Sequence, residues 1–517
     1  MRLKIFRLLL ILLLAGLFIA CAKKPPEKIE QIEYPAENGD RPHTPENITE
    51  EFEPQPEIPQ YNEYNVSLDI DPEARTVKGI ERIRFTNRTG EALEQIVCRV
   101  FLNAFSEEAE YRPYFASFET SIFPHGRDYG YMNILHVSLD NEELFYSLTD
   151  SGTVLTIELV EPLAAEETIQ LRIQFVAYVP RIRHRTGSNG QAMWCGAFLP
   201  LISVYGKNGW HTEPYGPVGN PVFTDTAHYT VNITTPENYT VTGTGKKNET
   251  VLEEHKVSTF TAAHTRDFAF ALSPSYKNEI LITPSGIEIS LFYYSDGVNT
   301  EDVLAVTAES LYFFQEMVGI YPYSQLCIAE TGLYIPGMEF SKIIFIDSDM
   351  LGSPLIYMRM VQEVGRQWFF NVIGNNAALE PWLAEGLTLF LQDMFFYPDR
   401  SELRGKLQTD YSNFAARYKD MRNVENKKIS RPQAEYENWN EYYLVQQQKS
   451  KLMIYGLFIM MGDEMFAQFL NGYYHHFAFG NASSEGFISL AESIIGSSLN
   501  SFFNLWLNNA TLPDFPE

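Results

Sequence analysis

Histidine is scarce in this chain and never placed for a metal pair. None of the ten histidines (His43, His125, His136, His184, His211, His228, His255, His264, His475 and His476) has a second one four residues on. No helix can therefore present two imidazoles on one face to a shared ion. The adjacent His475 and His476 diverge by about 100° on a helix. Cysteine is rarer still, four in 517 residues, and Cys98, Cys195 and Cys327 stand far apart without metal-ligand spacing. That speaks against a disulfide framework and makes them small buried hydrophobes. Positive charge is also short: 39 Lys and Arg against 66 Asp and Glu leave a net charge of -27. Such a surface repels nucleic acid and anionic lipid head groups, so no nucleic-acid partner is expected. The opening apolar run, Leu8 to Ala20, is short for a membrane span, and a plain N-terminal anchor helix is the alternative to a signal peptide.

What is present is the composition of an ordinary globular protein, 45% hydrophobic and 20% charged, long enough for two or three domains with proper cores. The 36 Phe and 30 Tyr suit a β-rich protein with large packed surfaces. At the start, Arg2, Lys4 and Arg7 precede the apolar run, which ends in Phe18-Ile19-Ala20-Cys21. This resembles a bacterial lipobox, with Phe18 where Leu is usual. The expectation is a signal peptide over 1–20 and a lipidated Cys21 that anchors the chain to the cell membrane on its extracytoplasmic side, extracellular or periplasmic. Residues 21–60 are rich in Pro, Glu and Lys with almost no apolar periodicity, which predicts a disordered tether.

Strand alternation begins near Tyr61, in Tyr64–Ile70, Gly79–Phe85 and Gln95–Phe101, and continues through 153–179 and 227–274. It predicts a large antiparallel sheet domain over 61–277. After about Thr300 apolar residues recur at three- and four-residue steps: Val303–Val318, Tyr357–Phe370, Glu385–Phe396, Lys451–Met461, Phe487–Ile495 and Leu499–Leu507. These predict a mostly helical domain over 278–517. A short strand pair, Leu326–Ala329 and Ile343–Ile346, precedes the segment that carries the chemistry.

That segment is Gln362-Glu363-Val364-Gly365-Arg366, followed after eighteen residues by Glu385 within Trp382-Leu383-Ala384-Glu385-Gly386. It has the frame of a zinc site of the H-E-x-x-H type, whose two histidines at i and i+4 leave one helical face. Here those places hold Gln362 and Arg366. Glutamine offers only a weak carbonyl oxygen, and a guanidinium has no lone pair. Without an ion, Glu363 and Glu385 would face each other uncompensated, so Arg366 is expected to pair with one of them.

In order and spacing, these segments resemble the membrane alanyl aminopeptidase family of zinc metallopeptidases, the gluzincins. The likeness covers most of 60–510. It includes Asp69-Ile70-Asp71-Pro72, Arg266-Asp267-Phe268-Ala269-Phe270 and Gly337-Met338-Glu339-Phe340, similar to the family's G-x-M-E-N with Phe340 where Asn is usual. Met461–Phe466 and Phe502–Leu507 are similar to its closing helices. The resemblance implies an α+β fold, with an N-terminal antiparallel β domain (saddle- or sandwich-like) followed by a thermolysin-like α/β peptidase domain.

It also implies roles. Glu339 would bind the free amino group of a peptide, with the backbone at Gly337 and Met338 lining the scissile residue. Glu363 would occupy the general-base position, a relic without metal-bound water. Gln362, Arg366 and Glu385 would be relic ligand positions, so no cofactor is expected. The family's oxyanion-stabilising tyrosine falls on Gln447, with Lys449-Ser450 for its Lys-Gly and with Tyr442 and Tyr443 nearby. Apart from the resemblance, His211 within Gly209-Trp210-His211-Thr212-Glu213 is placed at the cleft edge.

Three readings follow. The first is a lipid-anchored, non-catalytic homologue that binds peptides or protein N-termini, or acts as a scaffold. The second is an active metallo-aminopeptidase with zinc held by unforeseen ligands, or a hydrolase that uses its carboxylates without metal. The third is a structural envelope protein.

Overall fold

Eight strands form the largest sheet of the computed structural model, which describes residues 61–421 and 427–516. The expected signal peptide, Cys21 and the tether lie outside the described residues. The main strands are β1 (Asn62–Asp71), β2 (Thr76–Thr86), β3 (Tyr131–Leu139), β4 (Thr168–Tyr178), β5 (Ala227–Pro236), β6 (Lys246–Leu252) and β7 (His255–Thr265). Their order is β6-β7-β5-β1-β2-β4-β3, with the two residues Glu142–Glu143 at the far edge. Alternation along β1 buries Tyr64, Val66, Leu68 and Ile70 on one face and exposes the residues between, the period-two pattern of a half-buried strand. Two four-stranded sheets accompany it, one of them pairing Met193–Cys195 with Phe270–Ser273.

The expectation of a wholly antiparallel sheet needs one correction. β1 and β5 run parallel, in the register Tyr64 to Tyr229 and Leu68 to Ile233. A parallel pair needs a long crossover between its strands, and the chain between β1 and β5 supplies one.

A second, five-stranded sheet begins at β8 (Lys277–Ile282) and continues through β9 (Glu288–Tyr293), β10 (Gln325–Thr331), β11 (Gly337–Phe340) and β12 (Ile343–Asp347). Its order is β8-β9-β10-β12-β11. The strand pair read from the sequence is β10 and β12, which lie side by side in parallel. Helices follow: α1 (Thr300–Met317, before β10), α2 (Ile356–Trp368), α3 (Trp382–Phe396), α4 (Arg400–Lys419) and α5 (Ser450–Phe477).

Two of these helices are capped by local sequence. Asn299 accepts from Asp302 N–H at the start of α1, and Asp399 accepts from Ser401 and Glu402 N–H at the start of α4, each satisfying donors that a helix start leaves free. In α5 the backbone turns at Gly462, with φ of 69°, where only glycine avoids a steric penalty. The apolar periodicity read from the sequence stops at Met461 for this reason. The apolar stretch 439–477 is long enough to cross a bilayer but is more than half buried in the protein. Phe390 of α3 lies against Tyr455 and Phe458 of α5, as expected of a core helix.

Candidate functional site

Helices α1 and α2 set the site's position by close approach. A Cβ on Gly365 would lie 2.6 Å from the ring of Phe314, and Trp368 stacks on the same ring at 5.5 Å. One face of α2 is thereby driven into the core, with Met360, Val361, Val364 and Trp368 fully buried. The other face points Gln362, Glu363 and Arg366 at α3 and β11. Gln367 ties the helix to the sheet: its Nε2 donates to the Phe340 carbonyl at 3.0 Å, and its Oε1 accepts from Lys342 N–H at 3.0 Å.

Strand alternation sorts the residues of β11. Met338 and Phe340 enter a separate apolar cluster with Trp194 and Phe345, and Arg185 lies over the Phe340 ring at 5.3 Å. Gly337 and Glu339 face α2. A Cβ on Gly337 would sit 3.2 Å from Arg359 Cδ and 3.3 Å from Glu363 Cγ, so the bare backbone lets strand and helix close on the cleft. The Met338 side chain points away from it, leaving only its backbone to line the site.

Arg366 occupies the centre. Its Nη2 donates to Glu385 Oε2 at 3.0 Å, and its Nη1 lies 3.4 Å from both Glu363 oxygens and from Glu339 Oε2. The Arg366 side chain is 13% exposed, Glu363 is wholly buried, and Glu339 and Glu385 are nearly so. A second guanidinium completes the cluster, Arg359 Nη1 donating to Gln362 Oε1 at 2.8 Å and to Glu363 Oε1 at 3.1 Å. Burial raises the Glu363 carboxyl above its usual range, and adjacent Glu339 adds to this; both outweigh the lowering by the two guanidinia. For Arg366, burial is overcome by Glu385, Glu363 and Glu339, which hold the guanidinium charged even more firmly than usual.

Glu385 and Glu339 each have further partners. Tyr442 OH donates to Glu385 Oε1 at 3.2 Å, and Gln447 Nε2 donates to Glu385 Oε2 at 3.1 Å. Both donors lie at a π-helical stretch over Tyr443–Lys449 that leads into α5, and such local widening recurs at functional sites. Lys449 is buried away from the cleft, donating to the Lys427 and Asn509 carbonyls, and Tyr443 lies by Arg417. Asn220 Nδ2 donates to Glu339 Oε1 at 3.1 Å.

Gly337, Glu339, Gln362, Glu363, Arg366 and Glu385 are thus brought together, and Tyr442 and Gln447 join them. His211 instead pairs with Glu213 at 2.6 Å beside Asn376, and this hydrogen bond raises its pKa.

The donor set does not suit zinc. The Gln362 oxygen is engaged by Arg359, position 366 carries a cation without a lone pair, and Glu385 is left as the single ligand of the usual three. Among the described residues no group of three or more His, Cys, Asp or Glu could hold a metal ion.

Residues 316–506 match the model of the peptidase family M1 domain. A stretch of 104 residues is 29% identical to human aminopeptidase O, and one of 105 residues is 30% identical to the mouse protein. These stretches span 19% and 20% of this chain and 13% of either relative. Among solved structures, the M1 zinc metallopeptidase of Deinococcus radiodurans superposes with a TM-score of 0.66 at 16% identity, covering 89% of this chain and 96% of that one. A mutant two-domain M1 zinc metallopeptidase bound to L-arginine gives 0.67 with the same identity and coverage. A mutant of the Deinococcus enzyme bound to a Tyr-Ser-Ala substrate gives 0.65 at 15% identity, again over 89% and 96%. The β-sheet domain, the five-stranded sheet and the helices that carry the cleft together make up the M1 alanyl aminopeptidase-family fold.

Proposed function

We propose that this protein binds the free amino terminus of a peptide or protein in the cleft without hydrolysing it, and is held at the membrane through lipidated Cys21 on the extracytoplasmic side. One observation carries the reading: the Arg366 guanidinium lies among Glu339, Glu363 and Glu385 at 3.0 to 3.4 Å. It stands where an electron-pair donor would have to stand. Glu363 is held by both arginines, so the family's base is engaged and has no activated water to deprotonate.

Binding chemistry survives. The cleft sets two guanidinia, Arg359 and Arg366, against three carboxylates, one carboxylate in excess. An ammonium group would balance it. Glu339 is suited to receive one, because its two partners, Asn220 and Arg366, stand at 3.1 and 3.4 Å, looser than a short charge-assisted bond. The L-arginine and Tyr-Ser-Ala bound by the similar solved structures both offer an α-ammonium.

The test is calorimetric titration of the protein with a free-amine tripeptide and with its N-acetylated form. The free amine binds, and acetylation or Glu339→Gln weakens binding about tenfold or more. Equal affinity for both peptides sinks the ammonium role, and no binding at all favours a structural protein. Turnover of amino-acid anilides that Glu363→Gln abolishes would make the protein an enzyme.

A further inference from the structure

A cavity of about 410 Å³ lies away from the cleft, between β5 and β7 of the large sheet and the loop before β10. Its wall carries Lys246, Lys342, His228 and His264, and among its described lining residues there is no Asp or Glu. In a chain of net charge -27, a concave site with two lysines and no carboxylate among its described lining residues is conspicuous.

Lys342 is the unusual member. It sits in the turn between β11 and β12, is 6% exposed, and makes no ion pair among the described residues. Its Nζ donates to the Ala263 carbonyl at 2.6 Å and lies over the Tyr323 ring at 4.3 Å. An ammonium has three donors, and a buried one is ordinarily matched by a carboxylate. The nearest arrangement of that kind in this fold is Lys451, which has both Asp393 and Asp410 at 2.7 to 2.8 Å. Burial alone brings Lys342 down to about 7. Glu63, whose charge reaches His228, is itself held by Arg84 at 3.3 Å.

The backbone adds an independent sign. Lys342 and His264 both adopt left-handed conformations, with φ of 63° and 54°. Side-chain-bearing residues rarely sit there, and when they do they cluster at ligand sites. Both residues line the one cavity.

We propose that this cavity binds a small oxyanion, a phosphate- or carboxylate-bearing molecule, with Lys342 as its principal counter-charge and Lys246 at the rim. The volume exceeds what inorganic phosphate fills, so the occupant is an organic anion. An oxyanion here supplies the partner that the fold withholds from Lys342, and it keeps the ammonium charged. None of the cavity's lining residues belongs to the Arg366 cluster, so the proposal stands apart from the reading of the cleft.

The experiment is calorimetric titration of the full chain, at constant ionic strength, with inorganic phosphate and separately with citrate. At least one saturates, and Lys342→Gln weakens it about tenfold or more, the loss of one charge-assisted bond. Saturation by phosphate alone identifies a phosphate-bearing ligand, and by citrate alone a carboxylate. Should Lys342→Gln fail to fold, Lys246→Ala at the rim decides, with an expected loss of a few-fold. Saturation by neither anion overturns the proposal, as does an affinity that the deciding variant leaves unchanged.

Discussion

Arg366 and Glu385, on two different helices with eighteen residues between them in the sequence, are joined across 3.0 Å. The pair places a fixed cation where the fold would otherwise leave carboxylates in contact. Both side chains are largely buried, so removing one partner costs far more than an exposed ion pair returns. Arg366→Ala is expected to lower stability by about 3–5 kcal/mol, measured by urea denaturation. Acid should relieve part of that loss, since the stranded carboxyls can then protonate.

Glu363 makes a separate prediction about pH. Its folded-state pKa is raised above the ordinary 4.5, so the folded protein binds a proton that the unfolded chain has released. Stability from this group is fully present below about 4.5 and is lost as pH rises through the raised value. Glu363→Gln removes that slope. The variant's stability relative to the parent, followed by chemical denaturation across pH 4 to 8, should climb with pH. A flat difference would show that Glu363 titrates as an ordinary carboxyl.

Gln367 binds the helix bearing Arg366 to the strand bearing Glu339. Truncating it to Ala leaves the Lys342 N–H buried without its partner, at a cost of about 1–3 kcal/mol, and takes one donor from the Phe340 carbonyl. The same variant should loosen free-amine peptide binding, because Glu339 is then less firmly held. Thermal melting and peptide titration on one preparation check both.

Restoring the lost donors tests how much of the original frame persists. Gln362→His together with Arg366→His puts two imidazoles at i and i+4 facing Glu385. The double variant is expected to take up one zinc per chain, measured by atomic absorption after dialysis. If it stays metal-free, Arg359 or the surrounding cleft has drifted beyond repair.

Much of this arrangement could be read from the residues themselves. The α2 and α3 positions of Glu363, Arg366 and Glu385 follow from helical periodicity, and the site helices begin and end within a few residues of where that periodicity does. Other features left weaker signals. Helix α4 buries only Leu403, Leu407, Phe414 and Tyr418, a stripe too narrow to announce itself. Arg359 stands four residues before Glu363, a spacing that puts both on one helical face, and that clue was legible but missed. Asn220 could not be found this way, since 119 residues separate it from Glu339. The same holds for the parallel pairing of β1 with β5, which depends on where a crossover of more than 150 residues returns. Strand alternation decided one more detail: the Met338 side chain turns into the apolar cluster, and only its backbone is left to the cleft.

The most direct measurement is the zinc content of the protein purified in its native state, without chelator, by elemental mass spectrometry. With a guanidinium at position 366 and the Gln362 oxygen engaged, the protein is expected to hold far less than one ion per chain, unchanged by added zinc. One tightly held zinc per chain, lost with Glu385→Ala, would contradict it.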